Sequence, residues 1–568
     1  MINKYVTFLL LMIFCSGNSA VKAETIDKAA PKAIRVAPPA PKFTDAERQS
    51  ELARRRSQVF KQMKPNSVFI LRSAEARNYA GDVDFYYRQE NSLYYLTNLK
   101  QNGVTLVLVK NGADNQEFLF LPKRNPQFET WNGRMYSNDD ATRISGVKTI
   151  VDSSETQNFL QAFTDKKAFA AKDGANITAA AETVYLLLPF TEGDSNGKAE
   201  FGRENELSKT LTGYKIENAR PIVDGLRRTK SPYEIKLMQH AIDITTEAQM
   251  RSMAMVGRAK YEYEVQAEVE YTFRRRNADY WGYPSIVGCG PNATTLHYVE
   301  SQGEVKSGDL MLMDVGAEYD HYTADVTRTY PVNGKFSKEQ AEIYQIVYDA
   351  QEAAAKVAKP GATFKAVGEA ADEVIKDGLL KLGLITDKNS SQYRIWYMHG
   401  LGHWLGMNVH DVGSYGKPLE AGIVFTNEPG IYIREDALEY LPKTPEYAAF
   451  IEKVRPNFEK YKNIGVRIED DLLVTTNGVE WMTKNLPRKI SEIEAFMARA
   501  SKEMVLTEAR FDSKPHLAVL DFDTNLFLNH NFTFDKNFGG KTIRRGWIHS
   551  GKNAAYSGLS HLEHFSGE

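Results

Sequence analysis

At 568 residues the chain exceeds what one hydrophobic core ordinarily holds and divides more naturally into two domains. Its 42% hydrophobic and 25% charged residues are the composition of a soluble globular protein. A formal charge of −2 without a basic stripe gives no basis for a nucleic-acid or anionic-membrane partner.

The first residues, MINKYVTFLLLMIFCSGNSAVKAE, set a lysine before an apolar run from Tyr5 to Cys15, then small residues ending in Ala20 or Ala23. This is the pattern of a signal peptide over residues 1–23. The run is short for a bilayer span of about 20 residues, so the expectation is export, cleavage and a periplasmic or extracellular location off the membrane. Cleavage removes Cys15 and leaves only Cys289, which excludes an internal disulfide. Residues 24–43, rich in alanine and proline, read as an extended, mobile spacer.

The fold begins at Thr44, which forms a capping box with Glu47 and opens a charged helix. The β-rich runs SVFIL, VTLVLV, EFLFLP and TVYLLLPF then alternate with helical or turn-like stretches, predicting an α/β N-terminal domain over residues 44–222. Ser231, Pro232 and Glu234 start another helix just inside a second domain, residues 223–503, whose helices and antiparallel strand patterns predict an α+β domain. There Ser337 and Gln340 open a helix with Ile343, Ile346, Val347 and Ala350 on one face, ended by KPG at 359–361. In the extension 504–568 the character changes from about Thr507, and HLAVLDFDTNLFLNHNFTFDKNFGG, residues 516–540, reads as strands and turns. The extension holds five of the chain's 11 histidines without the fixed spacing of metal ligands, and no function is assigned to it.

Within the second domain, MDVGAEYDHYTADVTRTYPV reads as a hairpin turning between Tyr319 and Asp320, with Asp314 opposite Asp325. Like charges directly opposite repel, and a buried carboxylate without a partner is costly, so either a cation lies between them or both sit at a solvated edge. HGLGHWLGMNVHDVG adds His399, His403 and His410. His399 and His403 have the i, i+4 spacing of a helical ligand pair, but Gly400 and Gly402 oppose a helix, so one of the two is expected to be a ligand. Glu428 in TNEPGIYI and Glu469 in GVRIEDDLLV each interrupt an apolar run and need a partner, either a metal or the neighbouring Arg467. Two Asp, one His and two Glu form an oxygen-rich set able to hold two divalent cations. Ligation without cysteine favours Mn²⁺ over a structural Zn²⁺ site and leaves Zn²⁺, Co²⁺ and Fe²⁺ open.

These motifs resemble the pita-bread metallopeptidases, most closely the Xaa-Pro aminopeptidases (aminopeptidase P), from about Arg48 or Arg54 to about Ala500. The resemblance implies a pita-bread catalytic domain with a dinuclear centre, usually Mn²⁺, on Asp314, Asp325, His403, Glu428 and Glu469. It implies that His297, in TLHYVES, and His410 contact substrate and stabilise the tetrahedral intermediate, that His399 lines the site and that Arg467 orients ligands. YYRQENSLYYLTNL is similar to the family's N-terminal domain, and WNGRMY to a stretch whose tryptophan, here Trp131, borders the site. Ser92 stands where some members carry an aspartate, so contacts made through that acid have no counterpart here. Dimers or tetramers are common in the family.

The expected activity is hydrolysis of the N-terminal bond of peptides with proline second. A hydroxide bridging two ions attacks, Glu428 passes the proton to the prolyl nitrogen and His410 holds the oxyanion. A prolidase, restricted to Xaa-Pro dipeptides, shares the ligands and is the alternative. A non-catalytic binding module on the same fold is a remote one, opposed by the presence of all five ligand types and both accessory histidines.

Overall fold

The computed structural model describes residues 33–172, 174–177, 181–191 and 195–512. The expected signal peptide, the spacer up to residue 32 and the histidine-bearing tail lie outside the described residues.

The predicted capping box opens helix α1 (Asp45–Gln62), where the Thr44 hydroxyl accepts the Glu47 N–H and the Glu47 carboxylate accepts the Thr44 N–H. The apolar runs form β1 (Ser67–Arg72), β2 (Thr105–Asn111), β3 (Asp114–Leu121), β4 (Thr149–Asp152), β5 (Thr183–Leu186) and β6 (Lys215–Asn218), a six-stranded mixed sheet ordered β6-β5-β1-β2-β3-β4. In β1, Val68 and Ile70 pack into one apolar layer, and Phe69 and Leu71 into the other. A strand sending alternate side chains to two buried faces reads as a continuous hydrophobic run. The layer holding Phe69 and Leu71 also contains Tyr322, Ala324, Leu405, Met407 and Val424, so one face of this sheet shares its core with the half that follows.

Helix α2 (Asn91–Thr97) and helix α3 (Pro126–Asn132) flank the sheet strands in sequence, and α4 (Arg220–Arg228) follows β6. The expected boundary at 222/223 falls inside α4. Ser231 then caps α5 (Pro232–Met255) with Glu234 completing the box and Pro232 in the first turn, as predicted.

The second half pairs its strands antiparallel. β7 (Ile286–Cys289), β8 (Leu310–Val315) and β11 (Val326–Pro331) form one sheet, with β9 (Ala317–Tyr319) and β10 (Tyr322–Thr323) at the hairpin tip. β12 (Val424–Asn427) pairs with β15 (Asp470–Val474), and β13 (Gly430–Ile433) with β14 (Ile464–Arg467). Helix α7 (Lys338–Val357), capped by Ser337 and Gln340, buries Ile343, Val347 and Ala350 in the main core. Helix α6 (Glu262–Arg275) precedes β7.

The hairpin register differs from the expected one. Tyr319 pairs with Tyr322 and Glu318 with Thr323, so the turn is Asp320-His321, with φ of 50° and 67°. Two consecutive left-handed residues make the tight turn whose twist suits a two-residue hairpin, and the His321 ring is held by stacking on Tyr94 at 3.7 Å. Asp314 therefore faces Thr327, not Asp325, which becomes its diagonal neighbour.

The spacer is also corrected in its second part. Residues 33–43 are extended but packed: Ile34 and Ala37 enter the core beside Met250 and Met253, and the Ala37 N–H donates to Glu247 at 2.8 Å. Proline fixes the extended backbone, while the two apolar side chains hold it down. At the other end, the helix Ile490–Asp512 runs through residues 504–512, and the stretch 516–540 read as strands and turns lies outside the described residues.

Candidate metal centre

Five candidate ligands reach one cleft from five places. Asp314 lies in β8, Asp325 just before β11, His403 in the glycine-punctuated stretch, Glu428 between β12 and β13, and Glu469 between β14 and β15. Glycines deny the stretch around His403 a helix, and Pro429 ends β12 after Asn427.

The carboxylates are drawn together by Tyr283, whose Oη lies 2.6 Å from Asp314 Oδ1 and 2.5 Å from Asp325 Oδ1. His403 Nε2 stands 3.2 Å from Asp325 Oδ2 and 3.4 Å from Glu428 Oε1. Its Nδ1, 3.1 Å from the Trp404 carbonyl, is placed to donate there, which leaves an Nε2 lone pair facing the acids. Thr327 Oγ1 donates to Glu469 at 2.6 Å, and Thr426 Oγ1 to Glu428 at 3.1 Å. Arg467 donates to Asp314 at 2.5 Å and to Tyr432 Oη at 2.8 Å. The glutamates therefore do not take Arg467 as a hydrogen-bonded partner.

Asp314, Asp325 and Glu469 are buried and Glu428 nearly so, with Arg467 the buried cation among them. Burial drives the Asp325 and Glu469 carboxyls well above the usual range, with other acids adding to it. Glu428 is pushed up to about 7, again first by burial. Four carboxylates against one guanidinium leave a deficit of positive charge that one or two divalent cations would fill. Donor atoms of Asp325, His403 and Glu469 all lie within 4.8 Å of one another. The residues fit divalent metal ions.

His399 is not free to ligate: Nδ1 lies 2.7 Å from the Gly400 carbonyl and Nε2 2.8 Å from Tyr432 Oη. Burial pushes its pKa down to about 3, and Arg467 adds to this, so it stays neutral. Arg467, Tyr432 and His399 thus form a hydrogen-bonded chain behind the acids. His410 packs its ring 4.2 Å from that of His403 and is pushed down to about 4, by burial and then by His403. With His297 it lines the cleft, about 470 Å³ in volume, whose apolar wall includes Ile286, Leu296, Val299 and Val409.

Trp131 does not line this cleft. It stands 84% exposed on α3, a helix that buries none of its residues. Ser92 is buried in the first turn of α2, where Glu90 accepts its N–H, and also lies outside the cleft lining. Tyr283, Thr327 and Tyr432 escaped the sequence reading, as did Asp471, which accepts the Asp325 N–H at 3.2 Å. Only Asp471 carried a signal, as the third acid of Glu469-Asp470-Asp471 within an apolar run.

The segment bearing His410 is held from both sides. Arg88 donates to the Met407 carbonyl at 2.6 Å, Asn91 to Asn408 at 2.7 Å, and Asp411 accepts from Arg227 at 2.6 Å and Lys230 at 3.3 Å. Asp411→Ala leaves two buried cations without their acid and is expected to cost about 3–5 kcal/mol in denaturant unfolding. A loss below about 1 kcal/mol would contradict this role.

Comparison with known proteins agrees with this geometry. Residues 236–476 match metallopeptidase family M24, and residues 52–170 match the aminopeptidase P N-terminal domain. The chain is 37% identical over 462 residues to the Xaa-Pro aminopeptidase of Haemophilus influenzae, covering 79% of this chain and 97% of the relative. It is 34% identical over 465 residues to the Xaa-Pro aminopeptidase of Escherichia coli, covering 80% and 99%. The structure of aminopeptidase P from E. coli with the inhibitor Pro-Leu superposes with a TM-score of 0.68 at 34% identity, over 80% of this chain and 99% of that one. With its aminopeptidase P N-terminal domain and pita-bread catalytic half, the chain belongs to metallopeptidase family M24, among the Xaa-Pro aminopeptidases.

Proposed function

We propose that this chain is an exported metallo-aminopeptidase that removes the first residue from peptides with proline second. The observation that carries the reading is the convergence of four sheltered carboxylates and the His403 Nε2 on one cleft beside a single guanidinium. Two divalent ions held by Asp314, Asp325, His403, Glu428 and Glu469, with Mn²⁺ preferred, supply when bound a hydroxide near neutral pH and polarise the scissile carbonyl.

The protein's own groups do the rest. Glu428, pushed up to about 7, is poised to accept the attacking water's proton and pass it to the prolyl nitrogen. That nitrogen bears no hydrogen in the substrate, so it offers general peptidases no backbone donor and here needs a delivered proton to leave. His410 and His297, which line the cleft, hold the oxygen on which charge develops. Arg467 fixes Asp314 and, through Tyr432, the neutral His399. The signal peptide supports an extracytoplasmic location, the domain limits are taken as 44–222 and 223–503, and the family supports a homo-oligomer.

Hydrolysis of an Xaa-Pro-Xaa tripeptide beside an Xaa-Pro dipeptide tests the reading. Release of the first residue from the tripeptide is expected; cleavage confined to the dipeptide would make the chain a prolidase, and cleavage of neither would favour a binding module.

The acids also set a pH dependence. Asp325, Glu428 and Glu469 have folded pKa values above those of an unfolded chain. Their protonated forms stabilise the metal-free fold fully below the ordinary carboxyl range, and that contribution is lost as pH rises through the folded values, near 7 for Glu428. Metal binding must displace these protons, so the rise in Tm on adding Mn²⁺ is expected to grow from about pH 5 to about pH 8. A rise that shrinks over that range would contradict it.

A further inference from the structure

His297 reaches the cleft on the loop 290–303, which leaves β7 after Cys289 and returns toward β8. Both ends of this loop are tied to one side chain that does not line the cleft. Glu262, the first residue of α6 and fully buried, accepts the Cys289 N–H at 2.6 Å and the Gly303 N–H at 2.7 Å, one at each end of the loop. Asn292, inside the loop, donates Nδ2–H to the same carboxylate at 3.0 Å. The Glu262 N–H returns a bond to the Gly303 carbonyl at 3.0 Å.

A buried carboxylate is costly unless hydrogen-bonded, and this one is held by the Cys289 N–H where the loop leaves β7 and by Asn292 and Gly303 of the loop itself, with the loop's Tyr298 hydroxyl a further partner. Gly303 shows how closely the loop is drawn in: a Cβ there would stand 2.4 Å from Asn292 Nδ2 and 2.8 Å from both Glu262 oxygens. On its other side the loop meets β14, the strand that carries Arg467. A Cβ at Gly465 would stand 2.1 Å from the Ala293 carbonyl oxygen. The loop is clamped between Glu262 and a strand of the ligand cluster.

We propose that Glu262 is a positioning residue, a buried staple that holds His297 over the reacting carbonyl. The proposal rests on the role given above to His297. Glu262→Gln turns an amide NH₂ toward one of the two backbone N–H groups, donor against donor, and frees one end of the loop.

The test measures kcat/KM for a Xaa-Pro-Xaa tripeptide in Glu262→Gln, Gly303→Ala, His297→Ala and the doubles with His297→Ala, all at full Mn²⁺ loading. Glu262→Gln and Gly303→Ala are each expected to lose about 10–100-fold with bound metal unchanged, the scale of losing a supporting contact. In the His297→Ala background each is expected to cost less than about twofold, because the side chain it positions is gone. Losses that multiply in the doubles, or Glu262→Gln at wild-type kcat/KM, would overturn the proposal. His297→Ala at wild-type rate would instead remove the role of His297, and the staple's function with it. If Glu262→Gln folds poorly, Gly303→Ala, which presses on the same carboxylate, carries the comparison alone.

Discussion

Glu428→Gln is expected to lower kcat by about 10² to 10⁴-fold with a much smaller change in KM, the scale of removing a general acid–base group. The amide keeps the shape and one accepting oxygen of the carboxylate, so Thr426 can still donate to it and the β12–β13 turn survives. What it cannot do is take a proton. A carboxyl pushed up to about 7 by burial is matched to accepting a proton and releasing it near neutral pH, which an amide is not. Single-turnover and steady-state kinetics at full metal loading distinguish the cases: activity within about tenfold of wild type would rule Glu428 out as the shuttle.

Asp325→Ala is expected to reduce bound metal below one ion per chain and activity by about 10³-fold or more, since the several kcal/mol supplied by metal polarisation convert at about 1.4 kcal/mol per tenfold. The same change should leave the metal-free fold no less stable than metal-free wild type. Asp325 sits buried beside Asp314, and its carboxyl is forced well up by burial and that neighbour's charge, so its removal relieves repulsion. An acid kept for a structural ion pair would behave oppositely, costing stability when deleted. Metal analysis with thermal unfolding of the stripped protein separates the two, and a variant that keeps two ions would contradict the ligand assignment.

Much of the fold was legible wherever local chemistry decides it. Thr44 with Glu47, Ser231 with Glu234 and Ser337 with Gln340 each form the capping box their spacing implies. The continuous apolar runs became sheet strands because both faces of that sheet are covered. The register of the Asp314 hairpin was not legible, because it depends on Asp320 and His321 both taking the left-handed conformation, at some cost for non-glycine residues. Asp314 and Asp325 nevertheless meet, since diagonal neighbours share a face and Tyr283 bridges them. The acids could be found because an acid interrupting an apolar strand demands a partner. Their supports could not: Tyr283, Thr327 and Tyr432 are ordinary strand or loop residues until tertiary packing brings them beside a carboxylate or a guanidinium. The exposure of Trp131 has the same origin, since a motif likeness carries no information on where a helix that buries none of its residues stands relative to the cleft.

The most direct test is to strip the protein of metal and titrate Mn²⁺ back while following both bound metal and release of the first residue from an Xaa-Pro-Xaa tripeptide. The expected result is no cleavage in the stripped protein and activity that rises with occupancy to a plateau near two ions per chain. Undiminished cleavage by the metal-free protein, or none in the fully loaded one, would contradict it.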